Sequence, residues 1–529
     1  MFRQIEITYI DIGILIAYLI LSKLIPLWLT RNKNEDSEGF FLGGKNFVWP
    51  MIGFSLFATN MSGASFVGLA GAGYSQGISV YSYEWMVALI LIIFIFFLLP
   101  FYIKSGVFTM PQFLEKRYDY RLRRGFSSLL IFFAIFVDAA SPLYAGALVG
   151  LIIFPGMDLW VGVVVLAVLS GVLSIFGGLG AVVISDTIQS VVLIVGGTLV
   201  FIMAYMAIPS WQEMVQAAPE GALSIIQPIT DPSLPWPGLL TGVLIIGIYF
   251  WTANQTMVQR VLGAKTMDHG RWGAIFAGFL KLPILFIMIL PGTMAIVLYP
   301  DLQSPDMVFP TLVADLMPIG VRGLILAALV AAITSTVDSV LNSVSTLVTI
   351  DFVKPLKPDI SDKKLVIIGR VTTTLVMLIA VFWAPQIQHF PSLWTYLQSI
   401  LCYTVPPIVA IFLGGVFWKK ANRHGAFATF IIGIGMGILG FFTNEILGFA
   451  TIHYLYSAAL LFVISLIVLV VGSNLSAAED PSKTEGLIWS KELWDEQSRE
   501  LAGTPLWKNY RFQSLILFLT TATIVIWFW

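Results

Sequence analysis

Stretches of about twenty mostly apolar residues, the length a helix needs to cross a bilayer, recur along almost the whole chain. They fall at residues 8–29, 50–75, 78–104, 122–154, 157–177, 180–208, 235–263, 270–300, 319–352, 362–386, 389–418, 422–446, 451–473 and 511–528. These fourteen candidates leave little room for a water-soluble domain. Hydrophobic residues make up 58% of the chain and charged residues 11%, against about 25% charged in soluble proteins, so there are too few charges to cover a water-facing surface. The expected fold class is an all-α polytopic membrane protein. The first stretch contains Asp11, is longer than a signal-peptide core and lacks an A-x-A-like exit, so it is expected to remain as a span.

Several function classes are disfavoured at once. The 29 Lys+Arg against 30 Asp+Glu give no basic excess for nucleic acid. Cys402 alone supports neither a disulfide framework nor a thiolate metal cage, and His269, His389, His424 and His453 contain no i,i+4 pair for a metal enzyme. No GxxxxGK[ST] or HExxH stretch occurs, so an enzyme built on those motifs is not expected. No cofactor is expected either.

Basic residues resist translocation and so mark cytoplasmic connections. They concentrate after the first, third, seventh, ninth, eleventh and thirteenth stretches: Lys104, Lys116, Arg117, Arg121, Arg123 and Arg124; Arg260, Lys265 and Arg271; Lys354, Lys357, Lys363 and Lys364; Lys419, Lys420 and Arg423. Residues 209–235 and 299–318 contain acids but no Lys or Arg. Both termini are therefore expected outside. The uncharged fifth connection, 177–180, is the weak point of that pattern. Connection 474–510, with Trp489 and Trp494 among mixed charges, is expected to form an interfacial amphipathic helix. The segment 109–118, with Pro111 early and Lys116-Arg117 late, has similar helix signals.

Polar groups inside spans cost about 2.5–3.5 kcal/mol each on insertion scales and so call for a reason. The second span carries Ala58-Thr59-Asn60-Met61-Ser62-Gly63-Ala64-Ser65, and the seventh carries Trp251-Thr252-Ala253-Asn254-Gln255. Each reads as a break exposing backbone carbonyls and half-helix ends, as transporters use at the membrane midplane, although small residues also serve close packing. Two such breaks five spans apart fit an inverted repeat of 50–208 and 235–418. An extra helix and link (1–49) would precede it, an external loop (209–234) would join the halves, and C-terminal helices (419–529) would follow.

The ninth span places Ala332, Ser335, Thr336, Ser339, Asn342, Ser343 and Thr346 on one helical face. That face offers oxygen ligands for a hard cation, or a close helix interface. Glu84 in the third span is either a site residue or an interfacial acid, while Lys281 in the eighth lies too deep for easy snorkelling. Asp186 and Asp338 are expected near each other towards the inner ends of their spans. With Ser339 they would make a second cation position, because two close carboxylates cannot both stay ionised cheaply. The alternative is that Asp338 faces water or pairs with a Lys or Arg. A broken-helix polar site without cofactor machinery points to a secondary transporter.

At these residues the sequence resembles the sodium:solute symporter family, most closely its sodium/glucose (sodium/galactose) cotransporter branch. The resemblance is carried by residues 58–73 with Ser82-Tyr83-Glu84-Trp85, by Gly177-Gly178-Leu179-Gly180-Ala181-Val182-Val183, and by residues 251–260, 327–351 and 396–420. The pattern G-x(4)-K-x(4)-G-A stands at Gly415, Lys420, Gly425 and Ala426. The resemblance implies a LeuT-type 5+5 inverted repeat within about 14 helices, with Na+ as coupling ion and a small-molecule solute, a sugar, as cargo. Its sodium position would use the carbonyls of Ala58, Met61 and Ala332 and the hydroxyls of Ser335 and Thr336. Solute contacts would be Asn60, Ser65, Glu84, Asn254, Lys281 and Gln398, with Tyr83, Trp251 and Trp394 as gates. The chain departs from sugar carriers at Ser65, where Gln or His is frequent, near Thr256, where the inner-gate Tyr is replaced, and at Asp338, which stands for a hydroxyl.

The expected function is sodium-driven sugar import across a bacterial cytoplasmic membrane. Its rivals are symport of a polyol, sialic acid or carboxylate, and an uncoupled sensor or channel on the same fold.

Overall fold

A first span that hides its charges and exposes its aliphatic residues shows what solvent this chain is built for. In the helix Tyr9–Thr30 the buried residues include Asp11, Ser22, Lys23 and Thr30, while Ile16, Ile20, Leu24 and Trp28 lie on the outside. Polar-inside and apolar-outside is the pattern of a helix facing lipid. The computed structural model describes residues 8–31, 37–61, 63–154, 156–302, 305–389, 400–449, 452–479, 484 and 486–529.

Among the described residues ten helices are long and apolar enough to cross a membrane: Tyr9–Thr30, Gly77–Ser105, Tyr120–Ala147, Ser174–Ala207, Met267–Leu298, Val321–Leu356, Asp362–Ile387, Arg423–Asn444, Tyr454–Asn474 and Tyr510–Trp527. Two bent pairs raise the number to twelve: Trp49–Asn60 with Ser65–Ser75 at 62°, and Trp236–Thr252 with Gln255–Leu262 at 45°. They coincide with the two polar breaks expected in the second and seventh spans. Shorter apolar helices, Leu159–Val172 and Pro406–Phe417, stand where the fifth and eleventh spans were expected, and the eleventh stretch lies partly outside the described residues. The chain is a multi-pass membrane protein, and the ordinal numbers below keep the order of the sequence.

Contacts between connections sort them onto two faces. On one face, Asp11 accepts the amides of Gly320 (2.8 Å) and Gly323 (2.9 Å), Tyr74 donates to the Tyr299 carbonyl at 3.0 Å, and the Ile225 amide reaches the Phe528 carbonyl at 2.8 Å. On the other, Phe47 pairs with Gly263 at 3.1 Å, Arg117 Nε donates to the Gly415 carbonyl at 2.7 Å, and the Trp489 amide donates to the Val416 carbonyl at 2.8 Å. These contacts join the second, sixth and eighth connections with the two terminal segments on one face, and the first, third, seventh, eleventh and thirteenth connections on the other. Gly178, between the fifth and sixth spans, interrupts the helical run Leu159–Ala207 with φ 56°. A Cβ there would sit 2.6 Å from the Phe40 carbonyl oxygen, so glycine is needed for both torsion and space.

The connections hold more helix than the apolar pattern reveals. Trp211–Ala217 lies in the sixth connection, and Val308–Leu316 follows the eighth span. Two amphipathic helices match expectation. Met110–Arg117 starts on a capping box of Thr109 and Gln112, and Lys491–Glu500 is capped by Ser490, with Arg511 stacked over Trp494 at 3.8 Å.

Candidate cation and solute site

The break in the second span releases backbone acceptors where the ninth span presents hydroxyls. Trp49–Asn60 ends with Met61 at φ −81°, ψ 74°, so the last carbonyls of the helix lose their intrahelical donors. Thr336 Oγ1 donates to the Thr59 carbonyl at 3.2 Å and to the Ala332 carbonyl at 3.1 Å, tying the broken end to the ninth span. Ala58, Met61, Ala332 and Ser335 are fully buried. Ser335 Oγ donates to Asp186 Oδ1 at 2.6 Å, which turns its lone pairs away from the carboxylate and sets a negative charge one hydrogen bond behind them. That is the support a neutral oxygen site gives a hard cation.

Asp186, from the sixth span, is itself enclosed. Its Oδ2 accepts a short hydrogen bond from Ser55 and a longer one from Thr59 (3.4 Å), and lies 3.5 Å from Arg260. Arg260 is completely buried. Its Nε donates to Ser55 Oγ at 2.9 Å, and its remaining nitrogens form short hydrogen bonds to Ser339 Oγ and the Thr256 carbonyl. Thr59 and Ser339 hydroxyls lie 3.1 Å apart. Asp338 pairs with Lys23 of the first span, Nζ to Oδ2 at 2.7 Å. Of the three residues expected around a second cation, Asp186 and Ser339 meet through Arg260 and Thr59, and Asp338 is held by its own lysine.

A second polar cluster lies at the same break. Lys281 from the eighth span donates to Glu84 Oε2 at 2.7 Å and makes a short hydrogen bond to Asn60 Oδ1. Its ammonium lies 5.6 Å from the Trp251 ring and 5.9 Å from that of Phe57. Ser65 Oγ donates to the Asn60 carbonyl at 3.3 Å. Asn254 uses its oxygen to cap Gln255–Leu262, accepting from the Thr256 amide at 2.8 Å. Tyr83 is half-buried beside this region, while Gln398 and Trp394 lie outside the described residues. The structure thus joins Asn60, Glu84 and Lys281 directly, with Trp251 beside them.

Sequence reading missed Lys23, Ser55 and the inward role of Arg260. The charge pattern assigned Arg260 to a connection, but it points into the bundle from a half-helix whose residues are all buried. A lysine inside the first apolar stretch was the available signal for Lys23.

Two interrupted helices whose broken ends meet a hydroxyl-bearing span, within a bundle of ten or more crossings, define a LeuT-type transporter. The profile of the Sodium:solute symporter family matches residues 40–433, and the chain belongs to that family. It is 32% identical to sodium/glucose cotransporter 1 of Oryctolagus cuniculus, over 93% of this chain and 82% of that protein. It is equally 32% identical to sodium/myo-inositol cotransporter 2 of Bos taurus, over 89% of this chain and 77% of that one. A solved structure of a Na+-coupled sialic acid symporter in a substrate-bound outward-open state superposes with TM-score 0.79 at 23% identity, covering 90% of this chain and 99% of that one. These relatives are transporters, not enzymes.

Proposed function

We propose that this protein is a sodium-coupled secondary symporter that imports a sugar of the glucose or galactose kind by alternating access. The observation that carries the reading is the Lys281–Glu84–Asn60 cluster at the broken second span, next to the Ser335 and Thr336 hydroxyls. Sugar hydroxyls both donate and accept, so an ammonium, a carboxylate and an amide can exchange their mutual contacts for contacts with the solute. Sodium would sit on the carbonyls of Ala58, Met61 and Ala332 and the oxygens of Ser335 and Thr336, bridging the break and the ninth span. Binding there would favour the arrangement that also orders Asn60, the next residue along the break from the Thr59 carbonyl. Ser65, Asn254 and Gln398 would complete the solute contacts, with Tyr83, Trp251 and Trp394 as gates.

The basic connections share one face of the bundle, which supports cytoplasmic odd-numbered connections with both termini outside. The repeat halves would be 50–208 and 235–418. A bacterial cytoplasmic membrane remains the expected location.

Proteoliposomes with an imposed sodium gradient test the reading: labelled glucose or galactose should accumulate above equilibrium and collapse when the gradient is removed. Equilibration without accumulation would reveal an uncoupled channel or sensor. A polyol is the second reading, favoured by the equal identity to the sodium/myo-inositol cotransporter and by the small Ser65. Myo-inositol, sialic acid and carboxylates competing against the labelled sugar rank the solutes, and a carrier that takes one of them and ignores sugars sinks the sugar assignment.

A further inference from the structure

The added first span delivers a charge into the centre of the transporter. Lys23 is 6% exposed and Asp338 1%, and their 2.7 Å contact joins positions 315 residues apart. Lys23 lies seven positions before the last residue of its helix, Thr30, roughly 10 Å at the rise of an α-helix, so its ammonium is not a group borrowed from the membrane surface. Asp338 follows Ser335 by one turn and therefore stands directly beside the sodium position. Its other oxygen, Oδ1, is buried with no hydrogen-bond partner.

We propose that Lys23 is the resident cation of Asp338, occupying with a tethered ammonium the place a second coupling ion would take and so limiting the protein to one sodium. The inference rests on the sodium-coupled reading above. Charge balance supports it. Lys23 already matches the charge of Asp338, so a mobile cation added beside Asp338 with the ammonium in place would meet no free carboxylate there in a medium of low dielectric. Tethering supports it too: an ammonium fixed by its own chain acts at a high effective concentration, and a free ion must displace it to bind. The unpartnered Oδ1 is the atom that a replacement ion would gain once the ammonium is gone.

The test counts sodium rather than solute. Equilibrium binding of radiolabelled sodium to the purified full-length protein should give one ion per wild-type chain. K23M and K23Q should each bind one more than the wild type, with the sodium dependence of uptake steepening from a Hill coefficient of about 1 towards 2. K23M/D338N should return to the wild-type count. A purely structural tie would lower the melting temperature of K23M without adding an ion, and that outcome overturns the proposal. So do two or more ions on the wild type, a measurement that stands even when neither lysine variant folds. A wild type that binds no sodium sinks the sodium reading instead, because the gain between variants is still read.

Discussion

Two buried charge clusters attach to the same half-helix, Trp49–Asn60, and they are built differently. Lys281, Glu84 and Asn60 meet directly, one ammonium shared by an acid and an amide, and Glu84 keeps 7% of its surface exposed. Around Asp186 and Arg260, hydroxyls of Ser55, Thr59, Ser335 and Ser339 brace the pair, the Thr256 carbonyl adds a further acceptor for Arg260, and both charged groups are completely buried. A polar cluster with few braces can trade partners, so it suits a solute that comes and goes. One with many braces holds its geometry, so it suits a cation site that must keep its shape. In both, charge is paid for by pairing across spans, because an unpaired ion in this environment is expensive.

The comparison breaks most visibly at Asp186. Asp186→Asn should destabilise the protein by about 3–5 kcal/mol, the usual result of stranding a buried partner, here Arg260. Thermal unfolding in detergent checks it, and a melting temperature within a degree or two of wild type would mean the cluster is not a brace.

Glu84→Gln should do the reverse, weakening solute binding roughly 5- to 150-fold from a loss of about 1–3 kcal/mol while costing less stability than Asp186→Asn. Gln398→Ala is expected in the same range. Isothermal titration with the transported solute separates the outcomes, and a Glu84 variant that is unstable yet binds normally inverts the comparison.

Ser335→Ala and Thr336→Ala each remove one oxygen from the proposed sodium position. The sodium concentration for half-maximal uptake should rise about fivefold or more, with maximal solute affinity at saturating sodium little changed. Identical sodium curves in both variants would take these hydroxyls out of the site.

The smallest effect belongs to the periphery. Arg511 covers the Trp494 ring at 3.8 Å, and Arg511→Ala should cost about 0.5–1 kcal/mol of stability and leave uptake unchanged. A transport defect there would give the Lys491–Glu500 helix a role beyond packing.

Local signals made much of this legible. The apolar repeats located the helices, the polar interruptions at 58–65 and 251–255 located both bends, and the periodicity of the ninth span put its hydroxyls on the face that meets the broken helix. Partnerships across the bundle were not legible. Nothing in the neighbourhood of Lys23 announces Asp338, and Arg260 looks like any basic residue near a helix end until the 45° bend turns its half-helix inward.

The first span is fastened to the ninth at two places, through Asp11 at the amides of Gly320 and Gly323 and through Lys23 at Asp338. The twelve positions from Asp11 to Lys23 along the helix amount to about 18 Å. A rod pinned twice along such a length can neither swivel about one pin nor slide past its neighbour, so the two helices behave as a single beam. A tilt of the ninth helix would carry the first with it, and would displace lipid against the outer residues Ile16, Ile20, Leu24 and Trp28. The drag of the surrounding bilayer would then enter the turnover rate. Spin labels on the two helices should keep a constant separation with and without sodium, while distances from either to the twelfth or thirteenth helix change.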